Sequence, residues 1–405
     1  MKSTSLLKIF LLLCLVCMSS TVSAVTTKKV AVIPLEISGW IPYWRTATGT
    51  AEAINHISVF KELSPFGYTV KLDGTLYDPM NIGQEPWTTL IQTAKANKVK
   101  IIPTVMWSNA DNIYATLKSP TKRKAHIQAI VTMVKSNNFD GVDIDYEGKS
   151  AETKKYFSLF LKELWNSIGN KIVSCTIEAR TPLDSRFVMI PKDIQYANDY
   201  VEINKYCDRV RIMTYDQGTV DLKLNALSSG PYVPVSDPKW VEKVITLASK
   251  TISKKKITIG VATYGYEYTV TPVQGGYVYD RETSFNPNYA LSIASAFGVA
   301  SSRSVAGELN LIYTPTSTPL VTTSTTLATT TPSLDTSLFG QSAVTSSSGG
   351  ATTSPQVSAP FRLLVWSDAQ AVKDKIALAK KLGVRGISIF KIDGGADPAI
   401  WNVLK

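Results

Sequence analysis

One segment of the 405-residue chain concentrates acid in a pattern that could do chemistry: Asp140-Gly-Val-Asp143-Ile-Asp145-Tyr-Glu147. In an extended strand alternate side chains share a face, so Asp143, Asp145 and Glu147 project together and Asp140 has the opposite parity. Same-face neighbours lie roughly 6.5 to 7 Å apart along a strand. Three carboxyls so spaced in a partly dehydrated interior cannot all ionise freely; burial and repulsion raise at least one pKa and promote proton sharing. A carboxylic acid kept protonated near neutrality is what a proton donor to a glycosidic oxygen has to be. Glu147, with the longest side chain and the last position, is the natural donor. Asp140 reads as a structural or supporting acid at the strand's start. The plainer alternatives are acids on the solvent face of an edge strand, or a divalent-cation site. Val142 and Ile144 on the opposite face instead fit a strand packed against outer helices, which favours catalysis.

A transition-metal site has little to build on. His56 and His126 are the only histidines, with no ligand-spaced cluster around them, so no metal or other cofactor is expected.

The elements that would position the row alternate in type. Strand-like runs occur at Ile37–Tyr43, His56–Leu63, Lys100–Met106, Gly141–Tyr146, Ile172–Ile177, Arg209–Thr214, Lys256–Ala262 and Arg385–Ile389. Helical periodicity is clearest at Lys122–Lys135, Ala151–Ser167, Pro238–Ser253 and Asp368–Leu382. Eight strands separated by helices predict an α/β fold, a closed (β/α)8 TIM barrel, with the carboxylate row on the fourth strand. Barrel active sites form at the C-terminal rim, where Glu147 would emerge.

The barrel is expected over residues 25–265 and 366–405, with an insertion at 266–365 between the seventh and eighth strands. Tyr277 to Tyr313 looks folded within that insertion, as a small α+β subdomain. Residues 314–359 form a Ser/Thr-rich tract with few large apolar side chains, read as a disordered loop because it cannot offset the entropy of ordering. Residues 1–24 read as a signal peptide: Lys2 and Lys8, an apolar run from Ile9 to Met18, and a small-residue site at Val22-Ser23-Ala24. The mature protein is therefore expected to be exported, with no membrane association after cleavage. Cys175 and Cys207 then remain, near successive strands; a bridge and two buried thiols both fit, and buried thiols are favoured.

The net charge of +11 falls to +9 once Lys2 and Lys8 leave, because residues 1–24 hold no acid. That balance suits anionic cell-wall polymers; the basic residues are too scattered to mark a nucleic-acid partner.

The acidic segment matches the D-x-x-D-x-D-x-E signature of family 18 glycoside hydrolases, the chitinase family, at all four defined positions. Met213-Thr214-Tyr215-Asp216 resembles that family's M-x-Y-D segment, closing the sixth strand candidate. The signature's place on the fourth strand, the insertion before the last strand, and the tail from Val365-Trp366 to Gly386-Ile387-Ser388 are similar too. Gly39-Trp40-Ile41-Pro42-Tyr43-Trp44 and Tyr264-Gly265-Tyr266-Glu267-Tyr268 resemble bacterial cell-wall and spore-cortex members.

The resemblance implies a retaining hydrolase of N-acetylglucosamine-containing polysaccharide, chitin or peptidoglycan, acting by substrate-assisted catalysis, and a secreted monomer is expected. Glu147 would protonate the leaving oxygen while the substrate's 2-acetamido carbonyl attacks the anomeric carbon. Asp145 would orient the acetamido N–H, Asp143 would share its proton, Tyr215 would hold the acetamido oxygen, and Asp216 would contact sugar hydroxyls. Met213, Tyr43 and Trp107 would line the substrate. Phe390 stands where the family often places a Trp beneath the scissile sugar, a smaller apolar floor. Core packing accounts equally well for Trp40, Trp44 or Trp107. Two other classes compete: a lectin-like barrel, against which Glu147 argues because such relatives lose that residue, and an adhesion protein displaying the Ser/Thr tract.

Overall fold

The computed structural model describes residues 35–315 and 359–405. The expected signal peptide at 1–24, and residues 316–358 of the Ser/Thr tract, lie outside the described residues.

Seven strands run in parallel before the insertion: β1 Glu36–Pro42, β2 Glu62–Val70, β3 Thr104–Trp107, β4 Gly141–Tyr146, β5 Ile172–Glu178, β6 Arg209–Met213 and β7 Ile257–Ala262. The insertion contributes β8 Gly265–Val273, β9 Gly276–Phe285, β10 Leu309–Tyr313 and β11 Phe361–Trp366. With the short strand Ser302–Arg303 they form a separate antiparallel sheet, accompanied by the helix Pro287–Phe297. The chain then returns to the barrel with β12 Gly386–Phe390, which pairs with both β7 and β1. Pairing of β1 with β2 completes the ring, so the eight parallel strands close as a (β/α)8 barrel.

The outward faces of the strands are apolar. Val142 and Ile144 of β4 are fully buried, as are Phe157, Phe160, Leu161 and Leu164 from the helix Lys154–Ile168. Helix starts are marked by side-chain caps: Ser119 accepts from the Lys122 N–H, and Asp237 and Asp368 do the same for the helices Pro238–Ala248 and Ala369–Leu382. Among the described residues no helix is long and apolar enough to cross a membrane.

The barrel interior is polar instead. Register places Ser38 beside Ser388 and Glu62, Asp143 beside Thr104 and Ser174, and Thr176 beside Arg211. This departs from the branched aliphatic filling common in such barrels, and it misplaces one strand read from the sequence. The apolar run His56–Phe60 precedes the second strand rather than forming it. Ile57–Val59 is a 3-10 turn, and His56 stacks on Trp401 with ring centroids 4.1 Å apart. The strand itself begins at Glu62 and carries Pro65 and Gly67 through a register irregularity between Phe66 and Tyr68.

The cysteines also correct the reading. Cys175 and Cys207 are not thiols but a disulfide, with Cα atoms 5.9 Å apart. Cys175 has the outward parity of β5, and Cys207 closes the helix Tyr200–Tyr206, so the packing that buries both also brings them into bonding range. Replacing both by Ser is expected to cost about 2–4 kcal/mol, from the loop of 32 residues that the bond closes. Thermal melts of the oxidised protein and the double variant check this; equal melting temperatures contradict it.

Candidate active site

The carboxylate row lies along one inward parity of β4, and each member meets a different environment. Asp143 is the deepest. Its Oδ2 accepts from Trp40 Nε1 at 2.9 Å and Thr104 Oγ1 at 3.0 Å, and its Oδ1 accepts from Thr176 Oγ1 at 2.9 Å. Arg211 Nη1 stands 3.4 Å from the same Oδ2. That guanidinium is enclosed: it donates to Ser64 Oγ at 2.6 Å, lies 3.5 Å from Glu62 Oε2, and faces the Trp40 ring at 5.1 Å. Glu62 also accepts from Arg209 Nε at 2.8 Å. In the sequence this column beneath the row is marked by little more than the alternation Arg-Val-Arg-Ile-Met in a strand buried on both faces, and it was not expected.

Asp145 comes next and is almost as buried, but its Oδ1 has no hydrogen-bond partner among the described residues. Burial raises its pKa well above the ordinary value, and the charges of Glu147, Asp143 and Glu178 add to that push. No hydrogen bond joins the Asp143 and Asp145 carboxyls among the described residues; Asp143 is occupied by its own donors.

Glu147 emerges just past β4, half-buried, its backbone N–H bonded to the Trp107 carbonyl at 2.8 Å. Burial, then the charge of Glu178, pushes its carboxyl up to about 7 against the opposing effect of Lys149. Glu178 is a fourth acid at the site, also overlooked in the sequence. It ends β5 with the parity of Ser174 and Thr176, in register with Met213.

Tyr215 follows β6. It is buried, and its ring stacks on Phe390 with centroids 5.6 Å apart and planes 18° from parallel. Phe390, ending β12, also meets Trp40, Phe66 and Tyr264 edge-on at 6.0, 5.7 and 6.1 Å, which fixes an apolar floor between β12 and β1. Asp216 adopts a left-handed backbone, φ 56°, and its Oδ1 accepts from the hydroxyls of Tyr264 at 2.6 Å and Tyr266 at 2.7 Å. Met213 is half-buried, packed with Tyr215 and Tyr264, and Tyr43 is half-buried in a 3-10 turn directly after β1.

One of the expected substrate-lining residues lies elsewhere, while Asp140 sits at the strand's start as expected. Trp107 does not join the row: in register with Tyr146, it packs outward against that ring and His126, each 5.4 Å away, beneath the helix Pro120–Ser136. Its neighbour Met106, in register with Asp145, has the inward parity. Asp140 sits at the opposite end of β4, where its Oδ2 accepts from the Ile101 N–H at 2.9 Å and ties two strand starts together.

A closed barrel with buried acids climbing one strand to a rim carboxyl near neutrality has the layout of a barrel glycosidase. A sequence model of the glycosyl hydrolases family 18 matches residues 61–395, and the chain belongs to that family. It is 25% identical to an uncharacterized glycosylase, YvbX, of Bacillus subtilis over 47% of the chain and 54% of that relative, so it spans about half that protein's length. It is 24% identical to a cortical fragment-lytic enzyme of Bacillus cereus over 90% of the chain and 71% of the relative. In three dimensions it superposes on a class V chitinase from Pseudomonas fluorescens Pf-5 with a TM-score of 0.65, at 20% identity, covering 92% of this chain and 98% of the other.

Proposed function

We propose that the chain is an exported retaining hydrolase that cleaves β-linked N-acetylglucosamine polysaccharide with the help of the substrate's own acetamido group, and that peptidoglycan is its polymer. The observation that carries the reading is the pairing of a donor poised near 7 with a buried acceptor one step below it, Asp145 Oδ1, that has no partner among the described residues. Glu147 protonates the glycosidic oxygen as the acetamido carbonyl attacks the anomeric carbon, then takes a proton from the incoming water. Asp145 receives the acetamido N–H and steadies the positive charge that develops there. Tyr215 holds the acetamido oxygen for attack, Asp216 bonds sugar hydroxyls, and Phe390 lies under the ring. Asp143, directly beneath, is held in place by its own donors and so fixes the strand under Asp145, the carboxyl that burial pushes up.

Peptidoglycan is favoured by the likeness to a cortical fragment-lytic enzyme along 90% of the chain and by the net charge, +9 once Lys2 and Lys8 leave, which suits an anionic wall. The disulfide between Cys175 and Cys207 supports export, since such bonds persist in oxidising compartments. Reducing-end release from purified peptidoglycan and from chitin oligosaccharides tests the choice. Faster release from peptidoglycan is expected; release from chitin alone reassigns the polymer.

The donor must hold its proton, so kcat/KM is expected to fall about tenfold per pH unit as pH rises beyond about 7, where Glu147 ionises. A pH–rate profile of the free enzyme checks the sign. A rate that climbs through that range contradicts the assignment.

A further inference from the structure

We propose that Glu178 and Lys149 are positioning residues for the proton donor: they clamp the turn that follows β4 and set opposite charges beside Glu147. The proposal rests on the glycosidase reading of Glu147, and neither residue belongs to the acidic row or to the Met213–Asp216 segment.

The turn Glu147-Gly148-Lys149 is held from both sides. Glu178 Oε1 accepts the Gly148 N–H at 3.0 Å, and Gly148 has the left-handed φ of 63° that turns the chain away from the strand. Glu178 Oε2 accepts from Asn198 Nδ2 at 2.6 Å and lies 3.7 Å from Lys149 Nζ. The Lys149 side chain is only 1% exposed; its ammonium also donates to the Tyr146 carbonyl and stands 4.8 Å from the centre of the Phe157 ring. A lysine so enclosed is costly unless its charge is matched, and the match here is the carboxyl that holds the donor's own turn.

Four charged groups face Glu147. Asp145 lies below it on β4, Glu178 on β5, Lys149 on its own turn and Asp216 beyond β6, with the Tyr215 hydroxyl among them. Glu178 and Asp216 favour the protonated donor and Lys149 the ionised one. Removing Glu178 leaves Lys149 opposed chiefly by the smaller effect of Asp216, so Glu147 should release its proton at lower pH. Removing Lys149 should do the reverse. A pair serving only to stitch strands together would lower stability without moving the donor in opposite directions.

Carboxyl carbon-13 NMR on glutamate-labelled mature protein reads this without turnover, the Glu147 resonance being the one lost in Glu147→Gln. The Glu147 midpoint is expected to fall by roughly one pH unit in Glu178→Gln and to rise by a similar amount in Lys149→Met. Glu178→Asp, which keeps the charge but is too short to hold Gly148, should leave the midpoint near that of the wild type while lowering kcat. Midpoints that stay put, or that move the same way in the two charge-removing variants, overturn the pair. Should Lys149→Met not fold, a Glu178→Gln midpoint at or above the wild-type value overturns it alone. Opposite shifts in a protein that cleaves no polymer uphold the pair and sink the hydrolase reading; an active enzyme without the shifts sinks only the pair.

Discussion

Glu147→Gln is expected to lower kcat on an N-acetylglucosamine oligomer by about 10²- to 10⁴-fold, with KM nearly unchanged. The substitution preserves size and hydrogen-bonding shape but removes the proton that the leaving oxygen needs. Little else at the rim can supply it. Glu178, the acid of β5 whose charge acts on Glu147, is engaged by Gly148, Asn198 and Lys149. Burial raises the Glu178 pKa, yet Lys149 and its hydrogen-bond donors outweigh that effect and hold the carboxyl below its ordinary value. It is therefore ionised where Glu147 is still half protonated. The floor of Phe390 and Tyr215 is untouched by the change, so ground-state binding should survive. Steady-state kinetics on one soluble oligomer suffices. A variant that keeps more than about a tenth of wild-type turnover contradicts the donor assignment.

Replacing Arg211 by Met should be the most damaging single change to the fold, at about 3–5 kcal/mol. The guanidinium is 1% exposed and lies between Asp143 and Glu62, two acids with almost no access to solvent. Glu62 would retain Arg209, but Asp143 would lose its only ion-pair partner among the described residues and would keep three neutral donors. Hydrophobic replacement of a whole buried ion pair can be neutral; removal of one partner is not, because a charge is left uncompensated. Urea unfolding at fixed pH measures the effect as a lower midpoint with an unchanged slope. A loss below about 1 kcal/mol would show that the interior column contributes little.

The parts of the site readable in the sequence were those in which one strand carries the whole pattern. Asp143, Asp145 and Glu147 alternate with Val142, Ile144 and Tyr146, so a period of two marked both the strand and its inward face. Parts that depend on two strands meeting were hidden. Glu178 and Arg211 sit among other polar residues of β5 and β6, Ser174, Thr176 and Arg209, and only register brings them to the site. β2 was displaced because Glu62, Ser64, Pro65 and Gly67 break the apolar pattern of a buried strand: the first two face the polar interior, and Gly67 is crowded by Met80 and Tyr43. Trp107 looked like a subsite because it ends a strand, yet its parity follows Val105 rather than Met106. The Cys175–Cys207 bond required knowing that the helix Tyr200–Tyr206 ends against the outer face of β5.

In the proposed reaction the substrate's acetamido group, rather than a second protein carboxylate or a free water, makes the first attack. Proton NMR of the newly formed reducing end, recorded within the first minutes of hydrolysis of an N-acetylglucosamine oligomer in parallel with a glucose oligomer of the same linkage, tests it directly. Attack by the acetamido group gives β-anomer product from the first oligomer and no cleavage of the second. Initial α-anomer, or comparable cleavage of the oligomer that lacks the acetamido group, would contradict it.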